Sequence, residues 1–384
     1  MGTRLRCLGS RVGLLGLLAA ALTLALPALA HAAPSHAAVV SGPNLDVGPE
    51  SFGDQENHQI TVSYEGGAYR VTDSAGVVAE SGCNQVNPTT VSCPDDGIVA
   101  VVPFGAAGND TITVESIGPG DETGIHGFAG NDRLTGASSE DFVVGYRGND
   151  FLFGNGGADR MLGGPSQDTP DDDTLDGGPG PDSISGDSSS GGIGIDTVLY
   201  SDRPANEPLN VTVNGGVNND GGSSDGSGDS VIHVENVVGG AGDDLIEDAG
   251  GFGVLKDNIF RGGAGNDTLI SNEGSDVLFG EAGADRLQAG RSADRLNGGD
   301  GADLLNGDDG PDLLFGDDGD DRLLSGPKQD RLTGGKGRDF MKGQGQKDHI
   351  FARDGQRDRR LDCGPGGRRE SAQRDRIDPA PISC

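Results

Sequence analysis

The sequence predicts an all-β solenoid of nine-residue units, two to a coil, closed by a small β unit at one end and a cysteine-bearing segment at the other. Three observations predict it. Asp267, Asp276, Asp285, Asp294, Asp303, Asp312, Asp321, Asp330, Asp339 and Asp348 fall nine residues apart, and two residues after each stands an apolar residue, from Leu269 to Ile350. Glycine supplies 70 of 384 residues, far above the usual ~7%, and tryptophan is absent. A net charge of -33 with 33% hydrophobic residues would ordinarily describe a disordered chain. Stacked repeats offer the alternative, because together they bury a thin core that no single unit could.

The elements follow in order. Residues 1–32 read as a secretory signal: Arg4, Arg6 and Arg11, then VGLLGLLAAALTLALPALA, then Ala30-His31-Ala32 as the cleavage site. Residues 33–104 form an N-terminal β cap unit, with ITVSYEGGAYRVTDSAGVVAE alternating apolar and polar residues about a hairpin turn at Glu65-Gly66-Gly67. Repeat arrays need such atypical ends to cover an exposed core. A first array occupies 105–199, beginning with GAAGNDTIT and interrupted by GGPSQDTPDDDTLD. Residues 200–238 leave the period and are expected to form a lateral insertion with strands in NVTVNGG and DSVIHVENV. The main array spans 239–351, and 352–384 is a basic C-terminal cap. Of the three connectivities that the four later cysteines allow, local pairing joins Cys83 to Cys93 and Cys363 to Cys384. Export permits such bonds.

Each unit divides into a turn and a strand. The last three places are expected to form a short strand sending one side chain inward, and the first six a glycine turn able to take φ > 0. With two units per coil, each aspartate lies beside its counterpart eighteen residues on. Coils stack ~4.8 Å apart, so such a column is repulsive unless a hard cation lies in it. Residues 33–325 hold 52 acidic and 11 basic residues, a net of -41. A body this acidic should repel nucleic acid and anionic membranes, and bound cations would relieve its strain.

The units GGAGNDTLI, GGDGADLLN and GGIGIDTVL resemble the hemolysin-type, or RTX, calcium-binding nonapeptide G-G-x-G-x-D-x-U-x. That resemblance implies a parallel β-roll loaded with several Ca2+ ions, held by the sixth-place carboxylates and by carbonyls of the glycine turns. In the main array the odd units keep both glycines, whereas most even units have lost one or both, as at Ser271, Ala289, Ser325, Ser292, Lys328 and Gln346. The intact edge should therefore bind between Asp267, Asp285, Asp303, Asp321 and Asp339. Lys328 and Lys347 are expected to neutralise carboxylates on the other edge. The remaining expected ligands are Asp312, with Asp132, Asp150, Asp159, Asp182, Asp196 and Asp244 from the other units. The turn residues are Gly263, Gly265, Gly299, Gly301, Gly319, Gly335 and Gly337.

Enzyme signals are poor. Ser224 sits in a G-x-S-x-G string, but within DGGSSDGSGDS rather than between strand and helix, and no H-E-x-x-H occurs. The expectation is a secreted, non-enzymatic calcium-binding roll with a structural or adhesive role. Its partners would be calcium and extracellular or cell-surface polysaccharide, with no nucleic acid and no membrane insertion after signal cleavage. The alternative is a secreted enzyme or toxin-like effector with its site in the N-terminal unit or the 200–238 segment.

Overall fold

The computed structural model describes residues 36–41, 44–49, 56–79, 82–164, 171–187, 194–213, 229–249, 257–352, 354–362 and 371–374. The expected signal, Ser224, Cys363 and Cys384 lie outside them. Every regular element among the described residues is a strand. In the main array each coil gives one strand to a long sheet and one to a second sheet, always parallel to its neighbours. On the long sheet Ile259 pairs with Val277, Val277 with Arg295, Arg295 with Leu313 and Leu313 with Arg331. The register step is eighteen, the coil length that two nonapeptides predict. The second sheet repeats it, from Thr268 with Arg286 to Leu304 with Arg322.

The eighth place points inward. Leu269, Leu278, Leu287, Leu296, Leu305, Leu314, Leu323, Leu332, Met341 and Ile350 are all fully buried in one continuous core. Each buried aliphatic contributes about 1.5–3 kcal/mol, so the stack rather than any single coil holds the fold.

The division into strand and turn differs from expectation. Arg295–Asp300 and Leu304–Asp309 are six-residue strands, running from place seven of one unit to place three of the next. Only three residues, such as Gly301-Ala302-Asp303, are left as turn. The chain bends at place two, where Gly263, Gly299 and Gly335 have φ of 105°, 108° and 104°. Hydrogen bonding between coils continues past the bend: Gly301 N donates to Asp318 O at 2.7 Å and Gly319 N to Lys336 O at 2.7 Å. One left-handed residue thus turns the corner without breaking the ladder.

The 200–238 segment does not stand aside from the roll. Asn210–Val213 opens the second sheet of the main array, pairing with Leu245–Asp248. Ser230–Ile232 closes the corresponding sheet of the first array, on Ser183–Asp187, and Asn236–Val238 continues the long sheet. The period fails there because one turn around the core carries an extra strand. Val211, Val213, Val231 and Val237 still point inward and are fully buried.

At the N-terminal end Asn44–Pro49 lies parallel on Ala100–Ala107, and Gln59–Glu65 on Thr111–Val114. The hairpin turns at Gly66 and Gly67, whose φ values of 61° and 83° suit a two-residue type I′ loop. Cys83 and Cys93 are disulfide-bonded, as local pairing predicts.

Candidate metal centre

The sixth-place aspartates open the strands and line two edges of the roll. Their side chains do not face solvent. Each carboxylate turns under the coil before it, and its Oδ1 accepts a hydrogen bond from that coil's own aspartate amide. Asp267 N donates to Asp285 Oδ1 at 2.8 Å, Asp285 N to Asp303 at 2.8 Å, Asp303 N to Asp321 at 2.9 Å and Asp321 N to Asp339 at 3.0 Å. Asp358, which no nine-residue period marks, extends this column by accepting from Asp339 N at 2.9 Å. The opposite edge has the same ladder, with Asp276 N to Asp294, Asp294 N to Asp312 and Asp312 N to Asp330.

The second carboxylate oxygen is different. Oδ2 of Asp267, Asp285, Asp303, Asp321 and Asp339 is buried and has no hydrogen-bond partner. It lies against the first glycine of its own unit, in the space a Cβ would take at Gly262, Gly280, Gly298, Gly316 or Gly334. First-place glycine is therefore needed for room, not for left-handed backbone. At place four the constraint is both. Gly265, Gly301 and Gly337 have φ of 140°, 147° and 140°, and a Cβ on any of them, or on Gly319, would strike the carbonyl oxygen of the equivalent residue one coil back.

Burial drives these carboxyls upward, and the donated amide only partly offsets it. Asp267, Asp321 and Asp339 are raised to about 7, and Asp285 and Asp303 to about 6, with neighbouring carboxylates adding to the rise. Asp312 reaches about 8 for the same reasons.

The residues expected from the first array divide between the two edges. Asp132, Asp150 and Asp196 precede long-sheet strands and form one column with Asp110 and Asp173. Asp159 and Asp182 belong to the other, with Asp141. Oδ2 of Asp132, Asp150, Asp159 and Asp196 is buried without a hydrogen-bond partner. Asp244 is placed differently: Leu209 N bonds its Oδ1 and Gly240 N its Oδ2, both at 2.9 Å, so both oxygens are engaged. Lys328 and Lys347 are exposed, and neither pairs with a carboxylate among the described residues. They do not stand in for a cation. Instead Ser271 and Ser325 occupy the first place there and donate to carbonyls one coil on.

A second ladder escaped the sequence reading. The fifth-place side chains of Asn131, Asn266 and Asp320 accept from the fifth-place amides of Asn149, Ala284 and Arg338 one coil later. It runs opposite in direction to the aspartate ladder and is exposed. Its signal was the recurring G-N-D string.

Among proteins of curated function no relative matches this chain. The family model for the RTX calcium-binding nonapeptide repeat matches residues 125–143, 135–170, 168–198, 252–287, 279–314, 297–327 and 325–356. These are RTX calcium-binding repeats. RTX nonapeptides bind several calcium ions, and the matched segments cover most of both arrays, on either side of the extra strand. The donor set of the RTX loops fits that ion: buried carboxylate oxygens and close-packed main-chain carbonyls are hard oxygen donors, with neither sulfur nor imidazole among them. No three acidic, histidine or cysteine side chains converge on one point among the described residues.

Proposed function

We propose that this chain is a secreted protein whose calcium-loaded roll serves a structural or adhesive role outside the cell, with no catalytic site. The observation that carries the reading is the column of buried Oδ2 atoms on Asp267, Asp285, Asp303, Asp321 and Asp339. A buried carboxylate oxygen without a partner is costly, and it repels the next one in the column. Those oxygens, with carbonyls of the second- and fourth-place glycines, would hold the ions. Calcium supplies positive charge that ionised carboxylates otherwise lack. In the 33–325 body, with its net of -41, that couples metal binding to folding. The other edge offers the same ladder but carries Ser271, Ala289 and Ser325 in place of first glycines, so we assign it fewer ions.

One serine–histidine pair among the described residues bears on the non-enzymatic reading. Ser185 Oγ lies 3.4 Å from His233 Nδ1, but it donates its proton to Asp187 O at 2.6 Å. That hydroxyl is spent on the backbone.

Circular dichroism in calcium and in chelator tests the folding role at neutral pH. The β signal should appear with calcium in the ~0.1–1 mM range typical of extracellular modules. An equal signal in both conditions would overturn it. Adhesion of the labelled protein to cells or polysaccharide, lost on chelation, tests the biological role.

A further inference from the structure

The roll sorts its charges. Between residues 257 and 352 stand 19 acidic residues, and none occupies place seven or nine, the two places whose side chains point out from a sheet. Six of the 11 Lys and Arg in that span do: Arg261, Arg286, Arg295, Arg322, Arg331 and Lys342. The edges are acidic and the sheet faces are not.

On the outer sheet faces one arrangement recurs, on the second sheet with Arg322 4.7 Å from the ring centre of Phe340 and several times on the long sheet, though, among the described residues, not at Arg331. The guanidinium of Arg133 lies 4.3 Å from the ring centre of Phe153, that of Arg261 4.2 Å from Phe279, and that of Arg295 4.7 Å from Phe315. In each case the ring belongs to the following coil. A guanidinium resting on a ring is held in place yet keeps its N–H fork free for an anion. Arg261 already pairs with Glu281 at 3.1 Å. Arg295 and Arg331 are exposed and make no ion pair among the described residues. They occupy the same place two coils apart, a separation of ~9.6 Å at ~4.8 Å per coil.

We propose that this face binds a linear acidic polysaccharide, whose carboxylates or sulfates are received by Arg295 and Arg331. The inference rests on the adhesive reading above and gives it a surface and a ligand class. Charge density favours a glycan over nucleic acid. Duplex DNA carries one charge per ~1.7 Å, which needs a dense cationic track. Here cations are sparse, coplanar and flanked by acidic edges, which suits an extended chain bearing one acid group per disaccharide. The parallel sheet presents the two arginines at the same register position along the roll, the direction such a chain would take.

The test uses the full-length protein in calcium, with hyaluronan, its carboxyl-reduced form and single-stranded DNA as probes. Circular dichroism first establishes that each variant is folded. Replacing Arg295 and Arg331 together by Gln should weaken hyaluronan binding about tenfold or more, the loss expected for two charge-assisted pairs. The control pair Arg261→Gln and Lys336→Gln, whose cations are already paired with Glu281 and Asp318, should change it less than about twofold. The carboxyl-reduced polymer and the DNA should bind weakly. Wild-type affinity in the Arg295/Arg331 variant, or equal binding of the reduced polymer or DNA, overturns the proposal. Calcium-dependent adhesion that survives those substitutions keeps the adhesive role and removes this face from it. A folded wild type that adheres to no cell or polysaccharide in calcium removes both.

Discussion

Asp303 divides its carboxylate between two tasks: Oδ1 caps the Asp285 amide, and Oδ2 faces Gly298 with no partner. Metal-free folding should therefore depend on pH, with a definite sign. An unfolded aspartate titrates near ~3.9, whereas Asp285 and Asp303 in the roll are raised to about 6, and Asp267, Asp321 and Asp339 to about 7. Between those values the folded chain holds protons that the unfolded chain has released. This contribution to stability is fully present below the unfolded value and is lost as pH rises through 6 to 7. In chelator the β signal should persist at about pH 5 and disappear by about pH 8, and a signal that strengthened with pH would contradict this. Substituting Asp303 by Asn should raise the calcium midpoint while making the metal-free roll easier to form, since it removes one buried charge. Paired calcium titrations of variant and wild type measure both effects. Gly298→Ala would set a methyl group where Oδ2 lies, at a cost of about 1–3 kcal/mol in denaturant unfolding, a typical overpacking penalty. The aspartate period was plain in the sequence, but the two-way use of each carboxylate was not. Nothing in a string of residues says which oxygen meets the preceding coil's amide, or that first-place glycine is there for space.

At the scale of elements, two strands make a coil and eighteen residues return the chain to the same edge. Removing residues 298–315, one whole coil, should leave a shorter roll with normal calcium response. Removing only 298–306 should transfer every later unit to the opposite sheet and edge, which melting temperature and calcium titration would register as a far larger loss. Much of this level was legible. Alternation at places seven to nine marked the strands, and the eighth place marked the core. The strand length was not, because Glu281, Asp308 and Asp317 take φ of 75°, 60° and 71° at place two without being glycine. Their side chains conceal a backbone bend that the glycines at equivalent positions announce. The strands of the 200–238 segment could be named but not placed. Whether a strand joins a stack depends on pairing partners far away in sequence, such as Ser183 for Ser230.

For the whole molecule, a body of net -41 and its N-terminal cap set the conditions of stability. The Cys83–Cys93 bond closes a segment of the cap that holds the strands Asn84–Asn87 and Thr90–Pro94. Replacing both cysteines by serine should cost about 2–4 kcal/mol if loop entropy dominates, measured by calcium-saturated unfolding with and without reductant. At the other end, Arg359 reaches an edge turn through Asp320 at 2.6 Å, so basic residues after the array do engage its acidic side. The aspartate ladder also has a polarity that a symmetric stack would lack. Every coil from Asp267 onward offers an amide that only the following coil's carboxylate can accept. A chain that emerges N-terminus first therefore shows each turn's donor before its acceptor exists. Completion then proceeds from the first coil toward the last, and Asp358, the last carboxylate in the column among the described residues, is the latch that a growing or threading chain delivers late.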